Sequence, residues 1–163
     1  MYTNITGESI LSIVSQYNLL SGGGCLPPLW GLGCFYRCKT EFDQEKVLAM
    51  AKTFRQKHIP CDILGLEPGW QSQAYSCSYR WSEKRFPQPE KLLDQLRKEG
   101  FHVNLWEHAF THPSAPIYKD LIPYSGDYLV WGGLVPDFAT PEARRIFADF
   151  HRTLHDQGVS GFK

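Results

Sequence analysis

The sequence has no run of apolar residues long enough to cross a membrane and no surplus of charge of either sign, Lys plus Arg and Asp plus Glu numbering 17 each. The first lack excludes a helical membrane span, which needs about 20 apolar residues. The second leaves no basic field to draw in nucleic acid or an anionic membrane surface. Cysteine is sparse and odd in number, and Cys25, Cys34, Cys38, Cys61 and Cys77 form no Cys-x-x-Cys pair. That spacing speaks against a disulfide framework and a structural zinc site, and mildly for a reducing compartment. Residues 1–7 have neither the basic nor the apolar region of a signal peptide, so a cytoplasmic location is slightly favoured while localisation stays open. There is no Gly-x-Gly-x-x-Gly and no phosphate loop; Gly22-Gly23-Gly24 follows a helical pattern rather than a strand. Nothing in the sequence calls for a cofactor.

What is abundant is aromatic residues, 14% of the chain. Rings fill cores, but they also suit the apolar C–H faces of sugars. The stretch Asp62-Ile-Leu-Gly-Leu66 is apolar without alternation, as in a strand covered on both faces. It stops at Glu67-Pro68-Gly69-Trp70, where Pro and Gly end a strand and leave a carboxylate and an indole at its C-terminal tip. In parallel α/β folds that tip is where ligands bind.

The rest of the chain repeats this unit. An amphipathic helix over residues 8–20 carries Ile10, Leu11, Val14 and Tyr17 on one stripe, and a glycine run stops it. Residues 29–36 read as a first strand, with Gly31 and Gly33 allowing close approach of neighbouring backbone. Asp43 or Thr40 caps the next helix, whose buried face is Val47, Leu48, Ala51 and Phe54. After the strand at 62–66, a long polar and aromatic loop leads to Pro89, first residue of a helix packing Leu92, Leu93 and Leu96 and closed by Gly100. Residues 101–106 make a third strand, and residues 107–139 a long irregular connection with room for a short strand at 128–131. Thr140-Pro141-Glu142 predicts a helix start with a hydroxyl cap, Gly158 its end, and residues 159–163 open a fourth strand. Successive strand–helix–strand units predict a parallel sheet with right-handed crossovers. A closed eight-stranded barrel takes about 250 residues, so this α/β chain of 163 supplies half of one. We expect a lead-in over residues 1–24 and a partial barrel over 25–163, truncated within strand four and part of a longer protein.

Gln16-Tyr17-x-x-Leu20, Leu26-Pro27-Pro28-Leu29-Trp30-x-Leu32-Gly33, Phe54-Arg55-x-x-x-Ile59-Pro60-x-Asp62, Arg85-Phe86-Pro87, Leu96-x-x-x-Gly100-Phe101, Asp137-Phe138-x-x-Pro141 and Gly158-Val159-x-Gly161-Phe162 follow one another in this order. In that series the chain resembles glycoside hydrolase family 31, over roughly residues 9–163. The resemblance implies retaining α-glycosidases, among them α-glucosidases and α-xylosidases, on a (β/α)8 barrel, that is, a TIM barrel. It implies that the nucleophilic aspartate follows a segment like residues 158–163 and that the acid/base aspartate lies further on, so no catalytic residue falls within this chain. It implies an α-linked oligosaccharide or glycoside as substrate. Family members usually carry an aspartate at the end of barrel strand two that binds sugar hydroxyls; Glu67 stands there, its acceptor displaced by one C–C bond. Trp70 fits the Trp that follows, Trp106 and Glu107 sit at the tip of strand three where the family lines its pocket, and Arg37 matches a family Arg across a one-residue gap.

Other readings of the same residues stand beside these. Trp70 and Trp106 fit a sugar platform or plain core, and Trp30 and Trp131 fit core or loop packing. Asp62 and Asp137 read as structural acids. His102, His108, His112 and Glu107 lack the His-Glu-x-x-His pattern, and Pro113 breaks the helix it would need, so no metal is assigned. A non-catalytic carbohydrate-binding or self-associating α/β module is the alternative function, because four strands leave two open edges that could pair in a homo-oligomer.

Overall fold

The computed structural model describes residues 3–163; Met1 and Tyr2, the first residues of the expected lead-in, lie outside the described residues. The chain divides into two compact units, one ending at Leu32 and the other Gly33–Lys163. In the first, α1 (Ile10–Leu20) starts where Ser9 Oγ accepts from the Ser12 N–H at 3.2 Å, satisfying one of the orphan donors of a helix start. Its stripe of Ile10, Leu11, Val14 and Tyr17 is exposed. Leu29–Leu32 is a 3-10 turn and not the beginning of a strand, which corrects the expectation for residues 29–36. The Gly31 N–H donates to the Pro28 carbonyl at 2.8 Å, a tight closure that extended backbone cannot make.

The second unit is a parallel sheet in the order β1 (Phe35–Arg37), β2 (Ile63–Leu66), β3 (His102–Leu105) and β4 (Gly161–Phe162). The crossovers carry α2 (Gln44–Gln56), α3 (Pro89–Lys98) and, after a short α4 (Tyr118–Leu121), the long α5 (Pro141–Gln157). Asp43 and not Thr40 caps α2, its Oδ1 accepting from the Lys46 N–H at 2.9 Å. One face of the sheet is the core: Leu64, Leu66, Val103 and Leu105 pack with Val47 and Ala51 of α2, Leu92, Leu93 and Leu96 of α3, and Leu154 of α5. Each such aliphatic side chain contributes about 1.5–3 kcal/mol by leaving water, which is what holds the helices to the strands.

The other face carries Gly65, Asn104 and Gly161, paired in register, with Arg37 of β1 as the partner of Gly65 and Phe35 two residues before it. A methyl group on Gly65 would stand 2.4 Å from the Phe35 ring, so that ring, itself 38% exposed, lies directly over Gly65. Asp62 has the structural role its place predicts: ahead of β2, its Oδ2 accepts from the Cys34 N–H at 2.9 Å. Asp137 likewise orders the approach to α5, accepting from the Ala139 N–H at 2.9 Å.

Two further expectations are corrected. Residues 128–131 form no strand; Val130 and Gly133 exchange backbone hydrogen bonds of 3.0 and 2.9 Å around a two-residue turn. Thr140 precedes α5 as predicted, but its hydroxyl donates to the Asp137 carbonyl at 2.8 Å instead of accepting from the helix, because the Asp137 turn brings that carbonyl within reach first.

Candidate functional site

Side-chain parity builds the site. Arg37 follows Phe35 by two residues, Glu67 follows Gly65, Trp106 follows Asn104 and Lys163 follows Gly161, so all four lie at the C-terminal strand ends on the face opposite the helices. Glu67 is the hub. Arg37 grips it with two parallel bonds, Nε to Oε1 at 3.0 Å and Nη2 to Oε2 at 2.7 Å, and Lys163 Nζ donates to Oε1 from the far side of β3. Glu67 is only 8% exposed while Arg37 is largely exposed. The guanidinium holds the Glu67 carboxyl below the usual carboxylate range, with Lys163 adding to it, against the opposing effect of desolvation. One carboxylate thus fixes two cations at the rim, and Arg37 Nη1, the remaining Lys163 N–H groups and the second lone pair of Oε2 are the donors and acceptor left for a ligand.

Gly69 makes this rim close-packed: a methyl group there would lie 1.8 Å from the Thr40 carbonyl oxygen. The turn Pro68–Trp70 therefore presses against the β1–α2 loop and carries Trp70 inward. Trp70 is 1% exposed, sits in the main core, packs edge-on against Trp81 and donates from Nε1 to the Trp106 carbonyl at 2.7 Å. With no face open it is a core residue that steadies the backbone of β3's tip, and the platform reading of it is corrected. Glu107 is corrected as well. Continuing the parity of Val103 and Leu105, it turns toward the helices, where Oε1 meets His151 Nε2 of α5 at 2.7 Å and Oε2 is buried without a hydrogen bond among the described residues. It docks α5 and does not line the rim.

Trp106 stays at the rim, its ring 5.2 Å from that of Tyr75 and 5.3 Å from that of His108. His108 lies in turn against Phe110 and Trp131, and burial keeps its imidazole below the ordinary pKa. His112 bonds Ser114, and His102 sits on β3 beside Ser160. Among the described residues no group of three or more His, Cys, Asp or Glu side chains is placed to hold a metal ion. Cys38 is a buried packing residue whose thiol burial pushes up to about 12, whereas Cys34 is exposed.

Sequence reasoning missed Lys163, His151, Tyr75 and Trp131 as members of these clusters. Lys163 was within reach of it, since it stands two residues beyond Gly161 on an inward-facing register. His151 breaks the apolar stripe Phe147, Phe150 and Leu154 of α5, and a polar residue on a buried stripe needs a partner. A cleft of about 510 Å³, lined by Ser72, Arg80, Trp81, Glu83, Thr153 and Gln157 among others, opens between the β2–α3 loop and α5, apart from the carboxylate hub.

The fold has counterparts among known proteins. An α-xylosidase, XylQ, of Lactiplantibacillus pentosus is 28% identical over 99% of this chain and 23% of its own length. An alpha-glucosidase 2 of Bacillus thermoamyloliquefaciens is 25% identical over 98% of this chain and 22% of its own length. Among solved structures, a family 31 dextranase of Flavobacterium johnsoniae complexed with glucose superposes with a TM-score of 0.82 at 24% identity, covering 96% of this chain and 21% of that one. A family 31 α-xylosidase of Xanthomonas citri does so with a TM-score of 0.80 at 16% identity, covering 96% and 19%. These likenesses place the four strands in the N-terminal portion of a TIM barrel, and the chain spans about a quarter or less of the length of these relatives. The description "Glycosyl hydrolases family 31 TIM-barrel domain" matches residues 24–163, and the chain belongs to that family.

Proposed function

We propose that this chain forms part of the sugar-binding wall of a retaining α-glycosidase, with Arg37, Glu67, Lys163 and Trp106 holding a pyranose at the strand tips. The observation that carries it is the three-residue charge cluster: a buried carboxylate clamped by two cations at the C-terminal end of a parallel sheet, where barrel enzymes bind ligands. Clamped groups are pre-oriented, so hydroxyls meet donors that lose little freedom on binding. The relatives' names point to α-linked glucosides or xylosides as substrates. Trp70 supports this wall from beneath through the Trp106 carbonyl, and Glu107 does so by fixing α5.

Retention needs two carboxyl groups about 5–5.5 Å apart, one attacking the anomeric carbon and one protonating the leaving oxygen. Among the described residues Glu67 is the one carboxylate of the rim cluster, and both its oxygens are engaged. In this reading the nucleophile and acid/base lie beyond Lys163, as the resemblance to the family implies. The purified 163-residue chain is expected to show no turnover of aryl α-glycosides, and detectable turnover would overturn the assignment. In the full-length protein Glu67→Gln is expected to lower kcat/KM about 10–100-fold, the value of hydrogen bonds to a charged group.

A second reading, a non-catalytic carbohydrate-binding or self-associating module, is favoured by one observation: among the described residues β1 and β4 each have a strand neighbour on one side only. A stable dimer on a sizing column that binds saccharide would support it.

A further inference from the structure

Two free thiols meet at the entrance to the sheet, at the opposite end of β1 and β2 from the carboxylate hub. Cys34 stands one residue before β1 and Cys61 two residues before β2. The backbone fixes them to each other: the Cys34 carbonyl accepts from the Asp62 and Ile63 N–H groups at 3.0 and 3.1 Å, and the Cys34 N–H donates to Asp62 Oδ2 at 2.9 Å. Gly33 permits this approach, since a side chain there would run into the Asp62 carboxylate. The Cys61 thiol donates to the same Cys34 carbonyl at 3.6 Å. Burial, and after it the charge and hydrogen bond of the adjacent Cys34 thiol, raise the pKa of Cys61. A disulfide spans Cα atoms roughly 4.4–6.8 Å apart and neighbouring strands lie about 4.8 Å apart, so a bridge between these two positions is within reach. Their exposure differs and sets an order of reaction. Cys34 is exposed, whereas Cys61 is 3% exposed and Cys38, the next thiol along β1, only 1%. A reagent from solvent therefore meets Cys34 first.

We infer that Cys34 and Cys61 are a redox modification site, a dithiol that a low-molecular-weight disulfide of the glutathione class converts to an intrachain disulfide stapling the start of β1 to the start of β2. The Cys34 thiolate attacks one sulfur of the small disulfide, whose S–S bond breaks; one small thiolate leaves and a mixed disulfide remains on Cys34. The Cys61 thiolate then attacks the Cys34 sulfur, the mixed disulfide breaks and the second small thiolate leaves. Two electrons pass from the cysteine pair to the small disulfide, and the two thiol protons end on the two released thiols. The bridge joins residues 27 apart in sequence, and it sits at the N-terminal end of the strands, the end of a barrel that serves stability. Oxidation therefore stiffens the sheet entrance and leaves the ligand rim untouched.

The full-length protein is equilibrated in reduced or oxidised glutathione, remaining thiols are alkylated, and unreduced peptides are mapped by mass. In oxidised glutathione the expected result is a peptide linking Cys34 to Cys61, with a thermal midpoint raised by roughly 5–10 °C that dithiothreitol reverses. Cys61→Ser is expected to retain glutathione on Cys34, because the resolving thiol is gone, and the midpoint of Cys34→Ser to be unmoved by oxidation. In the wild type, glutathione held on Cys34 without the linked peptide, Cys34 joined to Cys25 instead, or a linked peptide with no upward shift would overturn the inference. The wild-type map requires no variant to fold and no sugar to bind, so its outcome is independent of the glycosidase reading.

Discussion

Glu67 accepts from two cations, and that sets the sign of its pH response. Its folded-state pKa lies below the unfolded value of about 4.3, so the stability it contributes is complete above that pH and is lost as pH falls toward the lower folded value. The wild-type melting temperature should therefore fall more steeply below about pH 4.3 than that of Glu67→Gln, read by thermal denaturation across an acid series; parallel curves would contradict the clamp. Arg37→Lys is expected to behave as a loss and not a conservative change, since a point ammonium cannot reproduce the paired Nε and Nη2 bonds. At this scale Glu67 was legible from its place at a strand tip. Lys163 was not legible as its partner, because 96 residues separate the two, and only the parallel pairing of β2, β3 and β4 brings them together.

Helix α5 is docked by polar contacts as well as by apolar packing, and the more deeply set of these contacts is the one to Glu107. His151 stacks on Phe147 at 4.0 Å and bonds the buried Glu107, so removing the imidazole leaves a carboxylate with no partner. His151→Ala is expected to cost about 3–5 kcal/mol in chemical denaturation, and the double variant Glu107→Leu, His151→Leu to recover much of that by replacing the pair with apolar volume. At the other helix start, Asp43→Ala should cost about 1 kcal/mol through loss of the cap to the Lys46 N–H. Helices α2, α3 and α5 were legible because their stripes, caps and closing glycines act over a single turn. The first strand was placed too early, since Leu29–Leu32 has strand-like composition while the Pro28 carbonyl closes a turn around it. Short range decided that case, and composition alone does not report it.

On the scale of the whole molecule, the sheet ends at β1 and β4 with one side of each unpaired among the described strands. Such edges template association, so the isolated chain is expected to self-associate with rising concentration in sedimentation velocity, and a monomer at high concentration would count against open edges. The order of strands and crossovers was readable from the alternation of apolar runs and amphipathic stretches, because right-handed parallel connections admit few other arrangements. The sequence alone determined the helices, the strand tips and the membership of the rim by type: a carboxylate, an arginine and an aromatic at strand ends. Only the tertiary structure decided which way each tip residue faces. Trp70 entered the core, Glu107 turned to α5, and Trp131 came out to the rim, because a strand's alternation is broken by the turn that follows it, and past that point facing is set by packing between loops distant in sequence.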